Sequence, residues 1–315
     1  MGELTYLLVE EIFYHFLAVI GLIANLMTIL ILSRGSCGLC SCTGRYLMSM
    51  AVADFLVIIL CVIMNYLGSL HFPISFLHHY NVCSLNSIVN AAVVDSSVWL
   101  TVAFTIDRFI AICCPKWKVR YCTEKTAAWV ILTICTVSFL RNIPRYFTYE
   151  PDYLRGPFPF CRLRKLCTNV PWAIYLCLCT VLTPLIPYVS ILFLNALTVR
   201  HILVASRIRK TLRSQSNDGK QSDPEMENRR RSIILLFAIS GNFIILWMTK
   251  VVVFVLEEML LELNFMNAMI HVGDMLMYLN SCTNTCIYAL TQAKFRDEIK
   301  RVVSYPINLL LKIIK

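Results

Sequence analysis

Seven long apolar runs leave this chain few folds to choose from. They cover roughly Ile12–Leu32, Tyr46–Leu70, Val82–Cys113, Thr126–Phe147, Pro171–Val199, Ser232–Leu256 and Phe265–Leu290. A bilayer core of about 30 Å needs about 20 apolar residues per helical span, and each run reaches that length. Spanning strands would instead alternate in polarity over about ten residues, and no run does. Of the 315 residues, 58% are hydrophobic and 15% charged, whereas a soluble domain carries about 25% charged residues. A soluble enzyme, a disordered chain or a secreted disulfide scaffold does not fit that balance. Most of the 15 cysteines fall inside the apolar runs, where a thiol packs as a small hydrophobe. The expectation is an all-α membrane protein, a seven-transmembrane helix bundle over residues 12–290.

Basic residues give the orientation, because they concentrate in cytoplasmic loops. With the N-terminus outside, 21 of the 29 Lys and Arg fall on the inner side. The formal net charge of +10 is therefore placed rather than spread. Residues 1–11 form an acidic extracellular segment (Glu3, Glu10, Glu11) without the basic start of a cleaved signal peptide. One stretch breaks the pattern: Arg141 to Lys165, read as an outer loop, holds six basic and two acidic residues. Ser206–Asn228 reads as a flexible inner loop. In residues 291–315, Phe295, Ile299, Val302 and Val303 alternate with Lys294, Arg296, Lys300 and Arg301. That pattern predicts a short amphipathic eighth helix lying on membrane lipid. Cys37, Cys40 and Cys42 crowd the first inner loop; three thiols without a fourth ligand read as free or lipidated rather than as a metal knuckle.

Ionisable groups inside a span are costly and mark functional candidates. Here they are Asp54, Asp95, Asp107, Arg108, Lys250 and Asp274. At about 1.5 Å per residue, Asp54 lies about 12 Å inward from Tyr46, and Asn284 and Asn280 about 9 and 15 Å inward from Leu290. At matching depth, Asp54, Asn280 and Asn284 can share a polar cluster with Asn25 and Ser97, either as helix-packing hydrogen bonds or as a cation site. Along the third run, Asn90, Val94, Ser97, Thr101 and Arg108 recur at helical spacing and form one inward stripe. Asp95 falls off it and is expected to face another helix.

Six motifs in order resemble the rhodopsin-like G-protein-coupled receptors. They are Asn25 in Gly21-Leu22-Ile23-Ala24-Asn25, Asp54 in Ala51-Val52-Ala53-Asp54, Cys83, Asp107-Arg108-Phe109, Asn284-Thr285-Cys286-Ile287-Tyr288 and Lys294-Phe295-Arg296. The resemblance covers about residues 10–303. Val98-Trp99-Leu100-Thr101-Val102 and Trp247-Met248-Thr249-Lys250 are similar to a subgroup that responds to aromatic amino acids such as tryptophan and phenylalanine. It implies a plasma-membrane receptor that passes an extracellular signal to a heterotrimeric G protein, with no enzyme activity and no nucleic-acid partner. It assigns Asp107, Arg108, Phe109, Asn284 and Tyr288 to activation. It also implies an outer disulfide from Cys83 to Cys161 or Cys167, with Cys161 favoured by the Pro157-Phe158-Pro159-Phe160 approach. Cofactors are not expected, apart from an allosteric sodium ion held by Asp54, Ser97, Asn280 and Asn284.

The departures are as informative. Thr249 and Thr285 stand where the family has prolines, so the usual helix kinks are expected to be softer or absent, with Gly241 as a substitute bend. Asn90 stands where amine receptors place a carboxylate, which disfavours a simple monoamine. Lys250 lies about 28 Å along the sixth run and Asp274 about 15 Å outward of Asn284. With Asn90, Val94, Trp247 and Tyr278 they would bind the amine and carboxylate of an amino acid or short peptide. The alternative is an internal salt bridge between the two. A secondary transporter or channel is the competing function, but inverted repeats and Gly/Pro-broken helices are not apparent.

Overall fold

The computed structural model describes residues 2–35, 37, 39–72, 76–152, 160–163, 170–213, 224–258 and 266–314. Each apolar run folds into a helix or a chain of helical segments. The first span is Gly2–Ser33. The second runs as Ser41–Val57, a widened π-helical stretch at Ile58–Leu67 and a last turn at Gly68–His71. The third is Tyr80–Cys113, and the fourth is Glu124–Asn142 continued by a 3-10 turn at Ile143–Thr148. The fifth is Val170–Thr180, Val181–Leu185 and Ile186–Arg213; its middle segment is π-helical around Pro184, as expected where proline removes a ladder hydrogen bond. The sixth is Pro224–Glu258 and the seventh Met266–Thr291. An eighth helix follows at Ala293–Ile314, longer than the short one expected.

Among the described residues, six of these helices are long and apolar enough to cross a membrane. The seventh falls short because it carries Asp274, Asn280, Ser281, Asn284 and Thr285, and the last four of these are buried against the other spans. The third span is the axis of the bundle, with 72% of its apolar window buried, against 17% for the fourth. Trp129, Leu132, Val137 and Leu140 on the fourth are exposed, as a lipid-facing side requires. Where spans meet closely the sequence supplies glycine. A Cβ on Gly21 would come 2.6 Å from Cys282 Sγ of the seventh span, so only a residue without a side chain lets the first and seventh helices approach so far.

Three expectations need correction. The first helix begins at Gly2, inside the segment read as an extracellular tail. The fifth and sixth helices run to Arg213 and from Pro224, into the stretch read as a flexible loop; residues 214–223 lie outside the described residues. Arg141 is not a loop residue but belongs to the fourth helix. The outer loop also forms a feature the hydropathy pattern does not announce, a two-stranded antiparallel hairpin. Tyr149–Asp152 pairs with Phe160–Leu163, with Pro151 opposite Cys161.

Both prolines missing from the family pattern have visible consequences. The sixth helix passes through Thr249 and the seventh through Thr285 without a break. Thr285 Oγ1 instead lies 2.8 Å from Thr28 Oγ1 and donates to Ala24 O at 3.1 Å, tying the seventh span to the first.

Candidate functional site

The end of the bundle carrying the basic loops is called inner and the opposite end outer. In the outer half, a cavity of about 580 Å³ opens between the third, fifth, sixth and seventh spans. All six residues expected to hold a ligand line it: Asn90, Val94, Trp247, Lys250, Asp274 and Tyr278. Lys250 Nζ lies 2.5 Å from Asp274 Oδ1, and both side chains remain partly exposed (22% and 33%). The lysine stem crosses the seventh helix over Gly273, where a Cβ would meet Lys250 Cδ at 3.2 Å. Trp247 rests on Phe243 in a stacked pair with ring centroids 5.3 Å apart. Its indole Nε1 is buried and finds no hydrogen-bond partner among the described residues, and the same is true of Asn90 Oδ1. The cavity therefore offers a cation and an anion, and its wall holds a buried donor and a buried acceptor without partners among the described residues. Buried polar groups left unpaired cost stability, which singles these two out in the cavity wall. The outer hairpin reaches the same cavity through Tyr149 and is fastened by a disulfide between Cys83 and Cys161. Cys167, the alternative partner, lies outside the described residues.

At mid-depth Asp54 is fully buried. Ser97 Oγ donates to its Oδ1 at 2.6 Å and Asn284 Nδ2 to its Oδ2 at 2.7 Å. The other expected member, Asn280, turns away: its Oδ1 accepts from Asn242 Nδ2 of the sixth span at 3.0 Å. Asn25 is also off the carboxylate and donates to Ser281 O at 2.8 Å and Gly21 O at 3.0 Å. The expected cluster thus splits in three: Asp54 keeps Ser97 and Asn284, Asn280 joins Asn242, and Asn25 bonds to backbone carbonyls.

At the inner end Arg108 is buried and paired with Asp107. Its Nη1 also donates to Ser232 Oγ at the inner end of the sixth span, 3.2 Å away. Arg229 Nη2 of the same helix donates to Ile112 O at 3.2 Å. Cys42 Sγ donates to Asp107 Oδ1 at 3.0 Å, while Cys40 Sγ lies 2.8 Å from Thr43 Oγ1 and accepts from Arg108 Nη2 at 3.9 Å, so both loop thiols sit on the Arg108–Asp107 pair. Phe109 is half-buried. Tyr288 is buried, and its ring packs edge-on against Phe295 of the eighth helix at 5.8 Å. Its hydroxyl has no hydrogen-bond partner among the described residues, so it is not bonded to the arginine here.

Comparison with known families decides the class. The 7 transmembrane receptor (rhodopsin family) model matches residues 24–288. The chain belongs to that family. The receptor is 26% identical over 245 residues to the Sex peptide receptor of Drosophila melanogaster, a match covering 71% of this chain but only 55% of the fly protein. It is 24% identical over 300 residues to the Growth hormone secretagogue receptor type 1 of Mus musculus, covering 92% and 79% of the two chains. It is 24% identical over 305 residues to the Thyrotropin-releasing hormone receptor of Gallus gallus, covering 90% and 75%. These are receptors rather than enzymes, transporters or channels.

Two features of the receptor escaped the sequence. Asp95 pairs with Arg141, and it also accepts from Asn142 Nδ2 and Thr183 Oγ1, each at 2.5 Å. One buried carboxylate thereby ties the third, fourth and fifth spans together. At the outer rim, buried Glu10 meets His271 of the seventh span at 3.1 Å. The signal for the first was present: Asp95 and Arg141 were both unassigned charges at the outer side, and pairing them would have removed one of the six basic exceptions to the orientation rule.

Proposed function

We propose that the receptor sits in the plasma membrane, binds an extracellular amino acid or short peptide in the outer cavity, and activates a heterotrimeric G protein at its inner end. The observation that carries the reading is the convergence of Lys250, Asp274, Trp247 and Asn90 on one cavity. Its volume falls in the range of about 300–1,000 Å³ common for small-molecule sites. A zwitterion offers each charge a new partner, its carboxylate going to Lys250 and its amine to Asp274. An aromatic side chain would lie over Trp247, where ring pairs add about 0.5–1.5 kcal/mol beyond area burial. The name of the fly relative supports a peptide. The likeness of Trp247-Met248-Thr249-Lys250 to the aromatic amino-acid subgroup supports a free amino acid as the smaller ligand of the same site.

Nucleotide exchange on co-expressed G protein, driven by a panel of aromatic amino acids and short peptides, tests this. Lys250→Ala is expected to weaken the active compound about ten- to hundredfold, the loss of one charge-assisted bond of about 1.5–3 kcal/mol. Unchanged potency with a lowered melting temperature would leave Lys250 and Asp274 as a structural bridge only.

Activation follows from a two-state bundle that ligand biases by binding one state better. In the state described, Arg108 bonds to Ser232 and Arg229 to Ile112, which holds the sixth span against the third. Outward movement of that helix end would uncover Arg108 and Phe109 for the G protein, with Tyr288 and Asn284 following in the seventh span.

A sodium ion fits the middle of the bundle in part. The Asp54 carboxylate and the Ser97 hydroxyl supply hard oxygen donors, and the carboxylate's partners Ser97 and Asn284 are neutral. Asn280 serves it only if it leaves Asn242. Replacing sodium chloride with choline chloride at constant ionic strength is expected to lower the melting temperature of the ligand-free receptor and to leave Asp54→Asn unmoved. Equal responses in both would leave Asp54 as a packing residue.

A further inference from the structure

The outer ends of the first two spans carry a cluster separate from the ligand cavity. Glu11 and His15 stand four residues apart, on one face of the first helix, and His71 closes the second span opposite them. His15 Nε2 and His71 Nε2 face each other at 3.1 Å, and Glu11 Oε1 lies 3.8 Å from His71 Nε2. One ligand atom from each residue falls within 4.8 Å of the others. His15 Nδ1 lies 2.9 Å from the carbonyl oxygen of Glu11. A carbonyl can only accept, so this bond places the ring proton on Nδ1 and leaves the Nε2 lone pair directed at His71. Orientation of a ligating imidazole by a backbone carbonyl in this way is typical of metal sites.

We propose that Glu11, His15 and His71 form an extracellular Zn2+ site that clasps the first span to the second. A tetrahedral zinc with bonds of about 2.0–2.1 Å separates its ligand atoms by about 3.3 Å, between the two separations found here. Two imidazoles and a carboxylate suit zinc better than calcium or magnesium, which favour all-oxygen shells. The side chains of Glu11 and His71 are 37% and 42% exposed, so the ion can enter from outside, and the fourth position stays open to water. None of the three residues lines the ligand cavity. The metal would therefore act on the packing of the first span and not on the ligand's contacts.

The test uses the full-length receptor in lipid nanodiscs. Zn2+ is titrated against a chromophoric chelator, and melting is followed with and without the ion. Wild type is expected to take up zinc with a rise in melting temperature, and calcium to give none. His15→Ala and His71→Ala should each bind at least about tenfold more weakly and lose the rise, with zinc-free melting unchanged. Should His15→Ala perturb the zinc-free curve, His71→Asn, which keeps a neutral polar head, carries the comparison. The proposal is overturned if wild type shows no zinc-dependent rise. It is equally overturned if His71→Ala and His71→Asn bind zinc as wild type does, because the metal would then sit at other histidines or at the inner thiols.

Discussion

In cells expressing Arg108→Ala, ligand-evoked nucleotide exchange is expected to fall to background while surface expression holds. The side chain is buried and its charge is met by Asp107, so it is held ready rather than solvated. Each charge-assisted bond the arginine would give the G protein is worth about 1.5–3 kcal/mol, about ten- to hundredfold in affinity. The fold should tolerate the change because Cys42 still donates to the Asp107 carboxylate. Arg108→Lys makes the comparison sharper: it keeps the charge but loses the planar fork of donors, and partial signalling is expected from it. Normal signalling from a well-expressed Arg108→Ala receptor would remove the arginine from the activation machinery.

Loss of the outer disulfide should be the largest single blow to stability. Cys83 and Cys161 are 78 residues apart in sequence, and a bridge closing a loop of that order contributes about 2–4 kcal/mol. Cys83→Ser and Cys161→Ser are expected to lower the melting temperature equally, and the double variant no further, since both remove the same bond. Ligand response should fall with them, because the hairpin that reaches the cavity loses its anchor to the third span. Peptide mapping without reduction provides the chemical control: both thiols should resist alkylation until a reductant is added.

Most of the fold was legible because a bilayer imposes it. Helix length and apolarity follow from membrane thickness, so each apolar run has a helix or a chain of helical segments over it, and the helices depart from the runs most where they continue into polar sequence. Those extensions at Gly2, Arg213 and Pro224 lie in polar sequence, where hydropathy is silent. The candidate cavity was legible for a different reason. Depth and helical phase place Lys250, Trp247 and Asp274 in the outer half of the bundle, and the family resemblance adds Asn90. Which partner a polar side chain chooses was not legible. Asn280 and Asn284 lie one turn apart on the same helix, yet one faces Asn242 and the other Asp54, a choice made by helix rotation of a few tens of degrees. Asp95 and Arg141 failed for a related reason, since a pair 46 positions apart in sequence leaves no local pattern.

The unbroken sixth helix has a mechanical meaning. Pro224 stands at its first position, and no other proline interrupts it through Glu258. The helix also runs through Gly241, the expected substitute bend, without a break, so it opens one end by tilting about a fulcrum. Phe243 and Trp247, wedged against Val98, Val102 and Ile191, supply one. From Phe243 the arm to Ser232 is about 16 Å and the arm to Lys250 about 10 Å. An ångström of displacement at Lys250 therefore becomes roughly one and a half at Ser232. A proline hinge would let the two ends move separately; here they are geared, and a displacement of Lys250 is delivered, enlarged, at the bond from Arg108 to Ser232.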